Sequence, residues 1–328
     1  MNAIHWVIPD HVFKGREKSA EALRDVTVAS MRMRAFPAIT AMEEKGFNVT
    51  LGERVAGQPS HIFVGKIGGP DVVSQIPMYL DQLRQHKANG AKVYLDYTDN
   101  HIGTVKFVAP FYEEAIKFTD VAIVPSLHMA GLLRASYGGE IAVIEDALDI
   151  SVQPIKDQPQ KARALLWFGH ETNIRYLMNF VRTGFKAGDS AKLVILSSAK
   201  GLEMFKAAPL QSNATLEVLL YRWSPAQMLE AAKVCDACII PSDTEDRYKS
   251  GVSANRLITA LALGLPTAAD NLESYKEFSE FYIDIRSEKF RAMMKDPRAF
   301  NPAVRKAQQE IVPRFSLENI KKAWSSLV

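Results

Sequence analysis

The stretch from residue 235 to 278, CDACIIPSDTEDRYKSGVSANRLITALALGLPTAADNLESYKEF, constrains the fold more than any other part of the chain. Residues 238–241 form a short apolar run bounded by polar residues, the pattern of a buried strand. A polar loop follows, then a helical pattern from near Ser253 that stops at Gly264-Leu265-Pro266. A second short strand is expected at 267–269 and a second helix start at 273–278. Strand, loop, helix and strand in this order make a parallel βαβ unit. The loop leaves the carboxyl end of a strand and enters a helix start carrying Ser253, Asn255 and Arg256. Free amides and the positive end of the helix dipole attract anions there, and Lys249 and Arg256 add fixed positive charge. A phosphate or pyrophosphate group is the expected ligand.

The same alternation runs through the rest of the chain. In the first half, strands are expected at 4–8, 47–51, 61–64, 93–97, 121–125 and 141–144, with helices at 31–45, 77–88, 111–118 and 130–136. In the second half, strands are expected at 165–168, 193–197 and 216–221, with helices at about 173–186, 202–206 and 225–234. Between the halves, residues 151–161 (SVQPIKDQPQK) are polar, contain proline and lack a period, which predicts a linker. A chain of 328 residues exceeds what one hydrophobic core serves efficiently. The expected domains are 1–152 and 153–310, followed by a C-terminal segment, 311–328, whose helix near 317–327 aligns Ile320, Ala323, Trp324 and Leu327 on one stripe.

Hydrophobic residues make up 47% and charged residues 23% of the chain, which places it among globular rather than disordered proteins. No apolar run approaches the roughly 20 residues that span a bilayer. The N-terminal residues, MNAIHWVIPDHVFKG, have neither a basic lead nor a long apolar stretch, so no signal peptide is expected and the cytoplasm is the expected compartment. A net charge of +3 is mild, so no nucleic-acid partner is expected, while an anionic substrate or contact with anionic lipid fits. Cys235 and Cys238 have redox or zinc spacing, but no second ligand pair accompanies them. They are expected to be buried as small apolar residues, and no metal site or resident cofactor is expected.

The order strand–PS–acidic loop–KS–SANRL–ALA–GLP–strand–ESYKEF resembles the nucleotide-sugar half of GT-B glycosyltransferases, closest to bacterial enzymes that build surface polysaccharides. The resemblance extends to most of the chain. It implies an α/β fold of two Rossmann-like domains facing each other across a cleft, the first binding the acceptor and the second the donor, with the last helix crossing back to the first domain. It also implies a metal-independent reaction. One departure stands out. Many retaining members carry two Glu residues separated by seven positions ahead of the Gly-x-Pro stop, and those positions are Gly251 and Thr259 here.

Further candidates sit at expected strand ends. Gly169, His170 and Asn173 follow the first strand of the second half, where the resemblance implies contact with the donor diphosphate or sugar. Arg222 and Trp223 precede Ser224-Pro225, a strong helix start, where the resemblance implies the base pocket. In the first half, Ser30, Arg32 and Arg34 resemble an S-x-R-x-R pattern facing the cleft in related enzymes; pairing with Glu43 or Glu44 on the surface is the alternative. Asp99 and His101 follow the strand at 93–97 and are candidates for a general base on an acceptor hydroxyl, with His128 a further candidate. The expected function is transfer of a sugar from a nucleotide-sugar to a glycan or glycolipid in cell-surface polysaccharide synthesis, with peripheral contact at the inner face of a membrane. The alternative is a non-catalytic scaffold of the same fold, which the missing Glu pair motivates.

Overall fold

The structure is a computed structural model that describes residues 3–104, 107–156, 164–208 and 212–328. Of the expected linker, residues 157–161 lie outside the described residues, and 151–156 have no regular secondary structure. The chain divides into two compact units. The first comprises Met1–Ala147, Glu245–Ser253 and Ser316–Val328; the second comprises Leu148–Thr244 and Ala254–Phe315.

The first unit is built on a six-stranded sheet of β1 (Ala3–Val7), β2 (Asn48–Gly52), β3 (His61–Val64), β4 (Lys92–Asp96), β5 (Val121–Val124) and β6 (Glu140–Val143), in the order β2-β1-β3-β4-β5-β6. Every pairing is parallel. Central strands such as β5 are buried at every position, which is why they read as continuous apolar runs. Helices α1 (Ala20–Arg24), α2 (Phe36–Glu44), α3 (Ile76–Ala88), α4 (Ala109–Ala115) and α5 (Leu127–Leu133) connect the strands.

The second unit repeats the plan with β7 (Ala164–Phe168), β8 (Ser190–Ser197), β9 (Thr215–Arg222), β10 (Ala237–Ile240), β11 (Thr267–Ala269) and β12 (Ile283–Asp284), again all parallel. The order is β12-β11-β10-β7-β8-β9. Its helices are α6 (Ile174–Thr183), α7 (Ala199–Ala207), α8 (Pro225–Val234), α9 (Asn255–Ala262), α10 (Glu288–Lys295) and α11 (Asn301–Glu310). Cys235 and Cys238 are free and fully buried. Burial pushes the Cys235 thiol up to about 12 and Cys238 higher still, so neither forms a reactive thiolate.

The last helix, α12 (Leu317–Ser325), belongs to the first unit. Ser316 caps it, and Ile320 and Trp324 are buried. Trp324 lies edge-on to Trp6 at 5.5 Å. Trp6 in turn stacks on Phe63, and Phe63 on Tyr94, at 4.9 and 4.3 Å across three paired strands. Such cross-strand aromatic pairs add stabilisation beyond their buried area.

The same helix covers the residue that corrects a sequence expectation. The stretch before α2 is a π-helical segment, Met31–Ala35, and it turns Arg34 inward instead of toward a ligand. Arg34 is 1% exposed. Its Nε and Nη2 donate to Asp96 at 2.6–3.1 Å, and its Nη1 donates to Asp146 Oδ1 at 3.0 Å and to the Ile144 carbonyl at 2.7 Å. Its guanidinium also lies 5.4 Å from the Trp324 ring. Enclosed by these partners, it presents no exposed surface to a substrate. Arg32 is likewise turned in, 7% exposed and donating to the Val26 carbonyl at 2.7 Å, and the Ser30 hydroxyl is buried. Arg34 thus pairs with Asp96 and Asp146 instead of a surface glutamate, and Lys321 of α12 takes Glu44 at 2.5 Å.

Arg34→Leu therefore strands two buried carboxylates. It is expected to destabilise the protein by about 3–5 kcal/mol in chemical denaturation. Arg34→Lys, which lacks the planar fork, is expected to recover only part of that loss. A variant as stable as the parent would show that the pairing does not hold the unit together.

Candidate functional site

In each unit the loops leaving the carboxyl ends of the strands share one edge of the sheet. Strand order reverses beside β1 in the first unit and beside β7 in the second. Open α/β sheets bind ligands at that edge and at that reversal.

In the first unit, Lys66 lies two residues beyond β3 and Asp99 three beyond β4. Lys66 Nζ and Asp99 Oδ2 form an ion pair, and the Thr98 hydroxyl donates to the same oxygen at 3.3 Å. His101 Nε2 stands 3.8 Å from Asp99 Oδ2. The imidazole is 3% exposed and lies flat on the Tyr112 ring at 4.3 Å, and neither of its nitrogens has a hydrogen-bond partner. Tyr112 is fixed in turn: its hydroxyl donates to the Ile67 carbonyl at 2.8 Å and accepts from the Ile67 amide at 3.1 Å.

A second wall of this site comes from Glu245–Ser253. The Asn100 amide donates to the Arg247 carbonyl at 3.2 Å, and His128 Nε2 and Ser250 Oγ lie 2.9 Å apart. The Tyr248 ring is 5.7 Å from that of His101, and Lys249 is 9% exposed. At Gly251, a Cβ would stand 2.6 Å from Met129 Cε and 2.9 Å from its Sδ. A side chain at the position of the first missing Glu would have to displace the end of Met129, and the second, Thr259, is buried within α9.

Electrostatics set the protonation states. Burial works against the Asp99 carboxylate, but Lys66, His101 and Lys249 outweigh it and bring it down to about 2. Burial pushes His101 down to about 4, with Asp99 opposing only in part. Burial also penalises the Lys66 ammonium, yet Asp99 and Tyr248 lift it above its ordinary value. Burial and then Asp99 push the Tyr248 phenol up to about 12. At neutral pH the cluster holds a fixed carboxylate, a fixed ammonium and a neutral imidazole. Asp99 and His101 do come together, but in this arrangement neither titrates near neutrality, where a general base works best.

In the second unit, Arg256 lies in the first turn of α9 and donates from Nε to the Phe168 carbonyl at the end of β7, at 3.0 Å. Its guanidinium lies 5.4 Å from the Trp167 ring, and its Cζ would be 3.5 Å from a Cβ on Gly169. Its Nη2 is buried with no hydrogen-bond partner, and among the described residues no carboxylate pairs with it. Burial lowers its pKa, the signature of a cation that is poorly compensated. Ser197, the last residue of β8, ties the neighbouring loops together. Its hydroxyl donates to the Gly169 carbonyl at 2.8 Å, and its own carbonyl accepts from the Trp223 amide at 2.8 Å. Gly169, Trp223 and exposed Arg222 thus share one edge with Arg256. His170 is exposed beside Glu171, and Asn173 precedes α6 without a side-chain capping bond.

Two expectations change here. Ser253 is not the cap of the helix: α9 starts at Asn255, its N-cap is Ala254, and no side chain caps it. Lys249 and Ser253 pack in the first unit, whereas Asn255 and Arg256 belong to the second. The segment Glu245–Ser253 makes its contacts within the first unit. Sequence reasoning passed over Lys66 and Ser197. Lys66 had a signal, a Gly-Lys following an apolar run; Tyr248 had none, since only tertiary packing places it. Among the described residues no group of three or more His, Cys, Asp or Glu could hold a metal ion, and no helix is long and apolar enough to cross a membrane.

No family model and no curated protein matches the chain. Solved structures do. Sucrose-phosphate synthase from Thermosynechococcus elongatus is similar at TM-score 0.65 and 12% identity, over 100% of this chain and 98% of that one. An alpha-glucosyltransferase in complex with UDP is similar at 0.63 and 11%, over 99% and 98%. An alpha-glucosyltransferase in complex with UDP-glucose and DNA containing an abasic site is similar at 0.62 and 12%, over 99% and 98%. The last comparison overturns the expectation that nucleic acid is excluded as a partner, since the fold occurs in an enzyme complexed with DNA. Net charge sums the whole surface and says little about one edge of it. The chain has the GT-B fold of two Rossmann-like units.

His101 gives a pH test of this geometry. Its pKa in the folded state lies below the ordinary 6.5, so stability is full above pH 6.5 and falls as pH drops toward about 4, because the unfolded chain then takes up a proton that the folded chain refuses. His5, buried beside Gly52, behaves alike. His101→Phe keeps the ring on Tyr112 and removes one contribution, leaving those of His5, His61 and His86. Between pH 6.5 and 4 the variant is expected to lose less stability than the parent, by about 1.4 kcal/mol per pH unit at most. Equal slopes in denaturation at several pH values would show that His101 is reachable by solvent.

Proposed function

We propose that this protein is a glycosyltransferase that moves a sugar from a nucleotide-sugar to an acceptor hydroxyl. The observation that carries the reading is Arg256: a buried guanidinium with an unpartnered Nη2, at an uncapped helix start, against the loop after β7. The diphosphate of the donor supplies several acceptor oxygens and negative charge to that place. Trp223 and Arg222, on the same edge, are the proposed contacts to the base, and Gly169, His170 and Asn173 the proposed contacts to the diphosphate and sugar. As the acceptor oxygen bonds to the anomeric carbon, the bond from that carbon to the diphosphate breaks, and the departing diphosphate keeps the electron pair. Arg256 stabilises the charge that develops there, without a metal ion or resident cofactor. In the first unit, Asp99 accepts the hydrogen bond of the acceptor hydroxyl and takes its proton.

UDP-sugars are the first donors to test, because similar structures hold UDP or UDP-glucose. The proposed acceptor is a glycan or glycolipid of a cell-surface polysaccharide, at the cytoplasmic face of a membrane, on the resemblance of residues 235–278. DNA belongs in the acceptor panel beside them.

A melting-temperature screen against UDP, GDP, ADP, CMP and dTDP is expected to show stabilisation by one base, since a ligand that binds only the folded form raises the transition. Arg256→Ala is expected to weaken that nucleotide by about tenfold or more, the worth of a charged hydrogen bond. Arg256→Lys should recover part of the affinity. No shift with any nucleotide would favour the scaffold reading, which the missing Glu pair supports.

A further inference from the structure

We infer that Lys66 is a positioning residue that holds Asp99 as an oriented carboxylate for the acceptor hydroxyl, an inference that rests on the glycosyltransferase reading. Three observations carry it. Lys66 stands at the strand-order reversal, two residues beyond β3, where an open α/β sheet takes its ligand. Its ammonium and the Thr98 hydroxyl both address Oδ2 of Asp99, which fixes the plane of the carboxylate. The two partners are also unequally covered: the Lys66 side chain is 29% exposed and that of Asp99 12%, so the pair has an open end at the cation.

The groups facing Asp99 come from every element around it. Lys66 reaches it from the loop after β3, and Thr98 and His101 from its own loop. Tyr248 and Lys249 act on it from Glu245–Ser253, while the Asp99 charge is felt at Tyr97 and Tyr112. Of the other carboxylates nearby, Asp146 and Asp96 interact with Lys66, and Asp246 acts on Tyr248. Lys66 is the largest of the attractive influences on Asp99. Without it, burial prevails and the carboxyl protonates at higher pH. With it, Asp99 stays ionised in weakly acidic solution, at the cost of some basicity.

The test compares the parent with Lys66→Met and Lys66→Arg in the hydrolysis of UDP-glucose, GDP-mannose and ADP-glucose, with water as acceptor. For the donor that is turned over, the parent is expected to show no acid limb from Asp99 between pH 7.5 and about 5. Lys66→Met is expected to lose about tenfold in kcat across that range, with KM for the donor unchanged, because Asp99 does not touch the donor. Lys66→Arg is expected to restore the flat profile. A Lys66→Met profile parallel to the parent's, or a change confined to KM, overturns the inference and leaves the enzyme reading standing. A parent that neither binds nor hydrolyses any of the three overturns the enzyme reading and the inference with it. If Lys66→Met does not fold, the Asp99 carboxyl carbon in the parent, assigned with Asp99→Asn, decides by NMR titration: ionisation below about pH 3 supports the pairing, and titration near 4 overturns it.

Discussion

Two carboxylates stand three residues apart at the carboxyl end of β4, both withdrawn from water, and each has its own cation. Asp96 takes the Arg34 guanidinium and Asp99 the Lys66 ammonium. The cations are not interchangeable. Arg34 reaches Asp96, Asp146 and the Ile144 carbonyl at once, which only a planar fork can do. An unpaired charge at either place would cost several kcal/mol. The lead-in to α2, the loop after β3 and the segment after β6 are therefore all fixed to β4 by the need for charge balance. A well-packed apolar cluster would stabilise the unit as well or better. The Arg34 set is closed on every side and acts on structure alone. The Lys66 pair is half open, at the edge where ligands bind, and stability does not account for it.

The layers of both units were legible because a parallel strand covered on both faces reads as a continuous apolar run. Strands β3, β11 and helix α8 fall where the sequence predicts them. The capping of α8 by Ser224 with Pro225 behind it is local chemistry, and so it reads locally. What was not legible depends on tertiary direction. The alternation of Arg32 and Arg34 looks like a surface pair until the π-helical turn points both into the core. Lys249 and Arg256 look like one cationic cluster because they are seven residues apart. Glu245–Ser253 instead makes its contacts in the first unit, held by Asn100, His128 and the close approach of Gly251 to Met129. No periodicity or composition encodes that.

The surplus positive charge at α9 has no acidic counterweight on its own helix, where Thr259 stands. A buried guanidinium without a carboxylate costs free energy, and the N-cap of α9 is Ala254, which makes no side-chain capping bond. One polyvalent anion would meet a deficit of that sign. A protein carboxylate in that place would satisfy Arg256 in the empty site and then have to be displaced or repelled by the incoming diphosphate. Thr259, on the same helix, brings no charge. Beside Arg256 lie the loops joined through Ser197. There Gly169, Trp223 and Arg222 present main-chain and aromatic surface instead of acid.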